Sequence, residues 1–174
     1  MKAGIITTLV ACAAGCVAGV ASAADPTDSS YFEASYAFPN ISFSGLSFSQ
    51  NQLVARGGYN FNRNFGAEVM GAAGLSSGDI NGVTLKVDSA YGIYLKGQVE
   101  VAPQFELFAR AGWAHITLSS NVVSGTGGDS SFSYGGGVQY RFNKNWYLQG
   151  EYTSLYDKDG VTINGAAVGV GYRF

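Results

Sequence analysis

The chain has 174 residues, enough for one domain beside a short leader, and its 10 basic and 12 acidic residues give a net charge of −2. This balance excludes the basic surface that nucleic-acid binding needs, so we expect no nucleic-acid partner. Charged residues make up only 13% of the chain, about half the usual share of a soluble domain, whereas aromatic residues (14%) and glycine (25 residues) are abundant.

Residues 1–23 are predicted to be a cleaved signal peptide. Lys2 supplies a basic start, residues 5–20 form an apolar run of mostly small residues, and Ala21-Ser22-Ala23 is a small-x-small cleavage pattern. The mature domain would then span residues 24–174 and be exported.

Both cysteines, Cys12 and Cys16, lie inside the predicted signal peptide. We therefore expect no disulfide and no cysteine metal site in the mature chain. Residues 9–12 resemble a lipobox, but cleavage there would leave a very short apolar run, so lipoprotein processing is the less favoured alternative.

Eight strands are predicted in the mature chain, because apolar and polar residues alternate there with a period of two. They cover about residues 31–38, 52–61, 65–75, 85–101, 105–118, 131–142, 146–156 and 165–174. No apolar run of about 18 residues follows the signal, which excludes a transmembrane helix. Strands cross a membrane only when they close into a barrel, since lipid cannot satisfy an open sheet edge.

Two kinds of connection alternate along the chain. Tight turns are predicted at residues 62–64, 102–104 and 143–145, and the segments Phe61-Asn-Arg-Asn-Phe65 and Phe142-Asn-Lys-Asn-Trp146 are near copies. The other connections are rich in serine and glycine, and the longest are residues 39–49 and 119–130. This pattern indicates short periplasmic turns and extracellular loops. All three prolines are expected outside the strands.

The last strand shows the face pattern most clearly. Alternate residues from Ala166 to Phe174 are apolar or aromatic, and those between are small or charged. Hydrocarbon on one side and a narrow polar lumen on the other would produce this pattern. The predicted fold class is therefore all-β, an eight-stranded antiparallel up-and-down transmembrane β-barrel. A soluble lipocalin-like barrel would reverse the faces, and the polar face is too small and glycine-rich for a soluble exterior.

Gly169, Tyr172 and Phe174 resemble the C-terminal assembly signal of bacterial outer-membrane proteins, although Ala167 stands where that signal prefers a polar residue. With this signal and the repeated turns, the mature chain resembles the small outer-membrane barrel superfamily, which includes the OmpA transmembrane domain, the OmpX and Ail group and opacity-type porin-family proteins. The resemblance implies a monomer in the outer membrane of a Gram-negative bacterium, inserted by the barrel-assembly machinery. It also implies contact with membrane lipid and lipopolysaccharide, an external ligand at the loops, and no cofactor.

Aromatic residues collect at the strand ends. We expect six of them to form a girdle at the level of the short turns: Phe61, Phe65, Phe105, Phe142, Trp146 and Phe174.

Ten charged residues are predicted to face the lumen: Glu33, Arg56, Glu68, Lys96, Glu100, Glu106, Arg110, Arg141, Glu151 and Arg173. Acids and bases are interleaved in two layers, and an eight-stranded barrel is only wide enough for side chains to fill it. Buried charges persist when they are paired, so we interpret these residues as a closed network. The alternative is a gated or narrow ion path through the same residues.

His115 is the only histidine, and it is predicted on the outward face near the upper membrane boundary. Outer-membrane lipid A deacylases of similar size place a histidine and a serine two residues apart on a lipid-facing strand; this chain has Thr117 at that position. With no acid to orient the ring, we interpret His115 as an interfacial residue.

No metal-ligand cluster or catalytic site is recognisable. The favoured function is a non-enzymatic envelope component, with a role in adhesion or envelope integrity; a small diffusion pore and a lipid A deacylase using His115 are the alternatives.

Overall fold

The computed structural model describes residues 29–43, 46–75, 78–80, 83–120, 127–158 and 161–174. The predicted signal peptide lies outside the described residues. Within them the chain forms ten β-strands: β1 (Ser29–Phe43), β2 (Leu46–Ser49), β3 (Gln52–Asn60), β4 (Phe65–Gly74), β5 (Gly78–Ile80), β6 (Val83–Ala102), β7 (Phe105–Ser120), β8 (Gly127–Arg141), β9 (Trp146–Lys158) and β10 (Val161–Arg173). In this part of the chain, no helix is long and apolar enough to cross a membrane.

The eight longer strands close into an antiparallel barrel. Each pairs with its neighbours along the chain, and β10 returns to β1 over thirteen register positions, from Tyr31 opposite Arg173 to Phe43 opposite Val161. The short strands β2 and β5 pair with the ends of β1 and β6, where they continue the ladders that these strands form with β3 and β4. The predicted eight-stranded up-and-down barrel is confirmed.

The faces alternate as the sequence predicts. On β6, Ile93 and Leu95 are 63% and 69% exposed on the outside, whereas Tyr94 and Lys96 are buried inside. The outer surface is therefore apolar over most of its height, as hydrocarbon requires.

The two near-copy turns have the same hydrogen bonds. The side-chain oxygen of Asn62 accepts from the backbone amides two and three residues later at 2.8 and 2.9 Å, and that of Asn143 does the same at 2.9 and 2.7 Å. The third tight turn uses different chemistry, because Gln104 has a left-handed backbone with φ of 73°. All three connections lie at one end of the barrel, which we call the turn end.

The strands are longer at the opposite end than predicted. The β6 strand has 20 residues and β7 has 16, so both are longer than the roughly 9 to 11 residues that a strand needs to cross a bilayer. The predicted loops at residues 39–49 and 119–130 are thus partly strand. Their serine and glycine content predicts loop structure, but pairing within the hairpins supplies hydrogen-bond partners for the backbone. A register shift between Val87 and Ser89 also interrupts the predicted continuous alternation of β6.

The expectation that all prolines avoid strands is wrong for Pro39, which lies inside β1 opposite Gly165. On the other side of β1, pairing with β3 ends at Ala37 and pairing with β2 begins at Asn40. The carbonyl of Pro39 accepts the amide of Gln50 on this side at 3.0 Å. The missing amide of proline therefore falls in a gap between two ladders, where no strand bond is lost.

Candidate functional site

The barrel interior has two chemically different halves. Charged and amide side chains fill the half nearer the turn end. The other half holds an apolar cluster: Ile41, Val54, Met70, Ala72, Ala90, Tyr94, Ala114, Ile116, Leu155, Tyr156 and Ile163. The lumen is therefore not polar throughout, contrary to the expectation from the last strand. Among the described residues there is no group of three or more metal-ligating side chains.

Six of the ten predicted lumen residues meet in what we call the central charge network: Glu33, Arg56, Glu68, Lys96, Arg110 and Glu151. Their side chains are 0–3% exposed. Arg56 pairs with Glu151 at 2.8 Å, and Arg110 lies 3.3 to 3.5 Å from all three carboxylates. With three acids and three bases, the network is electrically balanced.

Glu33 on β1 is the hub of this network. Its two carboxylate oxygens accept hydrogen bonds from five side chains on four strands: Lys96 Nζ (3.4 Å), Arg110 Nη2 (3.5 Å), Gln139 Nε2 (3.2 Å), Tyr147 Oη (2.8 Å) and Gln149 Nε2 (3.1 Å). Three of these donors are neutral, and a search for charged residues alone does not find them. All three occupy positions that alternate in step with the inward-facing residues of their strands. This two-residue period is the signal that could have identified them.

The other four predicted lumen residues form a separate rim group at the turn end. Arg173 binds Glu106, while Arg141 lies 3.5 Å from Glu106 and 2.8 Å from Glu100. Glu100 is not enclosed as predicted: its side chain is 53% exposed, next to a register shift between Glu100 and Ala102. The rim group lines a polar recess of about 570 Å³ at this end.

Two inward tyrosines lie over glycines of neighbouring strands. A Cβ atom at Gly58 would collide with the ring of Tyr31, and one at Gly171 would collide with the ring of Tyr147. Both phenols then reach the network, because Tyr31 donates to Glu68 at 2.6 Å and Tyr147 donates to Glu33. The glycines thus make the space that lets bulky donors reach buried carboxylates.

His115 lies on the outward face of β7, as predicted, with its ring 5.0 Å from that of Tyr91. Its Nδ1 is 2.9 Å from the Oγ of Ser130 on β8. The register places Ser130 directly opposite His115 across the β7–β8 ladder, so the serine comes from the adjacent strand rather than from two residues along the chain.

The aromatic residues predicted for the girdle are all on the outer surface, with 43–70% exposure. Tyr172 of the C-terminal motif packs edge to face between Trp146 and Phe174, at centroid distances of 5.0 and 5.1 Å. Gly169 lies inward against Ser35, where a Cβ would meet the serine side chain.

Comparisons with known proteins agree with this architecture. Residues 8–174 match the model of the family described as outer membrane protein beta-barrel domain. Ail of Yersinia pestis is 20% identical, with 85% of this chain and 99% of that chain covered and a TM-score of 0.65. Neisserial surface protein A is 17% identical (83% and 97% covered, TM-score 0.64), and OprG of Pseudomonas aeruginosa is 11% identical (85% and 97%, TM-score 0.58). At these identities the solved structures show a shared fold. No match is found among curated proteins.

Proposed function

Because the chain belongs to the outer membrane protein beta-barrel domain family and lies in the cell outer membrane, we propose that it acts as a closed, non-enzymatic barrel. Its projecting strands would carry its function, in adhesion or in envelope integrity. The interior would serve stability, and contacts would be made outside, with lipid and lipopolysaccharide in the membrane and with an external ligand above it. We further propose that it is a monomer inserted by the barrel-assembly machinery, with Gly169, Tyr172 and Phe174 as the assembly signal.

The observation that supports this proposal is that the central charge network and the apolar cluster follow one another along the lumen. We propose that they act as two barriers in series. The central charge network joins side chains from six strands, so an ion would have to break several buried pairs to pass. Beyond it, most side chains of the apolar cluster carry no polar atom, and hydrophobic constrictions close pores by excluding water. Either barrier alone would oppose conduction.

Single-channel recording of the refolded protein in a planar bilayer tests the closed lumen. We expect silence from the wild type and from Arg110→Ala and Glu151→Gln, because each variant opens the charge network and leaves the apolar cluster in place. Glu100→Gln serves as the matched control, since it removes a charge only at the exposed rim. An unboiled-versus-boiled gel shift checks that each barrel has formed.

Steady openings of the folded wild type, altered by Arg110→Ala or Glu151→Gln and unaffected by Glu100→Gln, would contradict the closed lumen. They would support the alternative function, a small gated diffusion pore in which the charge network is the gate.

A second candidate, lipid A deacylation, is favoured by one contact, the 2.9 Å hydrogen bond between His115 and Ser130. A histidine in this position could take the proton of the serine hydroxyl during acyl transfer. A catalytic triad also requires a carboxylate that orients the histidine ring. Among the described residues, however, no carboxylate is hydrogen-bonded to His115. The pair also uses Nδ1 toward the serine, the ring nitrogen that such a carboxylate normally holds.

We therefore expect no acyl release when the folded protein is incubated with lipid A, and no difference between the wild type, His115→Ala and Ser130→Ala. Thr117→Ala is the matched control on the same outward face. Release of fatty acid that requires both His115 and Ser130, but not Thr117, would overturn the non-enzymatic proposal.

A further inference from the structure

A small cavity lies in the lumen at the boundary between the central charge network and the apolar cluster. Its volume is about 40 Å³. Polar side chains line one part of its wall, namely Gln52, Arg56, Glu151 and Thr153. Apolar side chains line another part: Val54, Met70, Ala72 and Leu155.

Each of these four polar side chains carries an atom without a hydrogen-bond partner among the described residues. These atoms are Gln52 Nε2, Arg56 Nε and Nη1, Glu151 Oε2 and Thr153 Oγ1. Asn164, which also lines the cavity, instead accepts a hydrogen bond from Tyr152. Arg56 directs only Nη2 at a carboxylate, and Glu151 Oε2 lies 3.4 Å from Arg110 without a well-aligned bond. Buried polar groups in native proteins are almost always hydrogen-bonded, so the concentration of such atoms around one cavity calls for a ligand.

We propose that this cavity is a binding site for ordered water. The water would accept hydrogen bonds from Gln52 and Arg56 and donate to Glu151 and Thr153, which is the two-donor, two-acceptor set that water satisfies. One water needs about 10 to 15 Å³ of accessible volume, so the cavity holds about four at most.

Charge favours water over an anion in this site. The carboxylate of Glu151 forms part of the wall, and the surrounding network is already balanced with three acids and three bases. A chloride ion would bring a net negative charge beside that carboxylate. Neutral water introduces no such charge and still satisfies the free donors of Arg56.

The bound water solvates the outer side of the Arg56–Glu151 pair and lies below the apolar cluster, so its exchange with bulk water is slow. In a barrel whose lumen is closed, it marks the limit of hydration.

Water-to-methyl cross-relaxation in the folded full-length protein, labelled at Val, Leu and Ile methyl groups in lipid nanodiscs, tests the proposal. We expect cross-peaks of slowly exchanging water at Val54 and Leu155, which line the cavity, and none at Ile41 and Ile163, which do not. The Thr153→Val variant keeps the shape but removes a polar partner, and combined with Gln52→Met it should abolish the cross-peaks. Thr117→Val, on the outward face, should leave them unchanged.

Absence of cross-peaks at Val54 and Leu155 in the wild type would show a dry cavity and overturn the inference. Arg56 side-chain signals that shift when chloride is replaced by a bulky anion would show an anion site and overturn it too. Full-intensity cross-peaks in the folded double variant would show that Gln52 and Thr153 do not hold the water, and would overturn the proposed set of four partners. Since the first two results need only the wild type, the inference is decided even if the double variant fails to fold.

Discussion

Replacing Glu33 with alanine should lower the free energy of unfolding by about 3 to 5 kcal/mol, the usual cost of removing one partner from a buried ion pair. The change leaves Lys96 and Arg110 with an excess of buried positive charge, and it removes the acceptor of three neutral donors. Urea-induced unfolding in detergent micelles or lipid vesicles, followed by the gel shift of the folded barrel, measures the effect.

Two variants make this prediction specific. Glu100→Ala removes a half-exposed carboxylate from the rim and should cost at most about 1 kcal/mol. Combining Glu33→Ala with Lys96→Met leaves two acids and two bases in the central charge network, so the double variant should be more stable than Glu33→Ala alone. An equal loss for Glu33→Ala and Glu100→Ala would show that Glu33 is not the hub.

Gly171→Ala should destabilise the barrel, because it adds a methyl group where the wall is tightly packed. The new Cβ would collide with the ring of Tyr147, and overpacking of this kind costs about 1 to 3 kcal/mol. Displacing the ring would also lengthen the 2.8 Å hydrogen bond from Tyr147 to Glu33, so the effect spreads into the charge network. The readout is again the unfolding midpoint in urea.

Gly150→Ala is the matched control, because a Cβ at this glycine of the paired strand β9 meets no atom within 4 Å. In the Gly171→Ala, Tyr147→Ala double variant the collision is gone, and the total loss should be smaller than the sum of the two single losses. Additive losses would argue against the collision, as would equal losses for the two glycine variants.

Residues whose environment is decided by strand parity could be predicted from the sequence. The two-residue period placed Arg56, Glu68 and Lys96 inside and His115 outside, because one face of every strand meets hydrocarbon. The repeated asparagine turns were predictable for a local reason, since the side chain of Asn62 or Asn143 bonds amides two and three residues away.

What depends on neighbouring strands could not be predicted in this way. The glycines that accommodate Tyr31 and Tyr147 lie 27 and 24 positions away along the chain, and only the register brings them together. The partner of His115 was sought at Thr117, but Ser130 comes from the next strand. Local propensity predicted loop structure at Pro39 and in the serine-rich segments. The pairing of the hairpin strands overrides that propensity there.

The sequence separations within the central charge network have a kinetic consequence. Glu33 bonds Tyr147 and Gln149, 114 and 116 positions along the chain, so the hub is completed only after the last strands reach the first. Closing so long a loop is entropically costly, and contacts that form after the rate-limiting step influence unfolding rather than folding. Glu33→Ala should therefore speed unfolding and leave the refolding rate almost unchanged. This carboxylate would then stabilise the barrel by slowing its unfolding after it has closed.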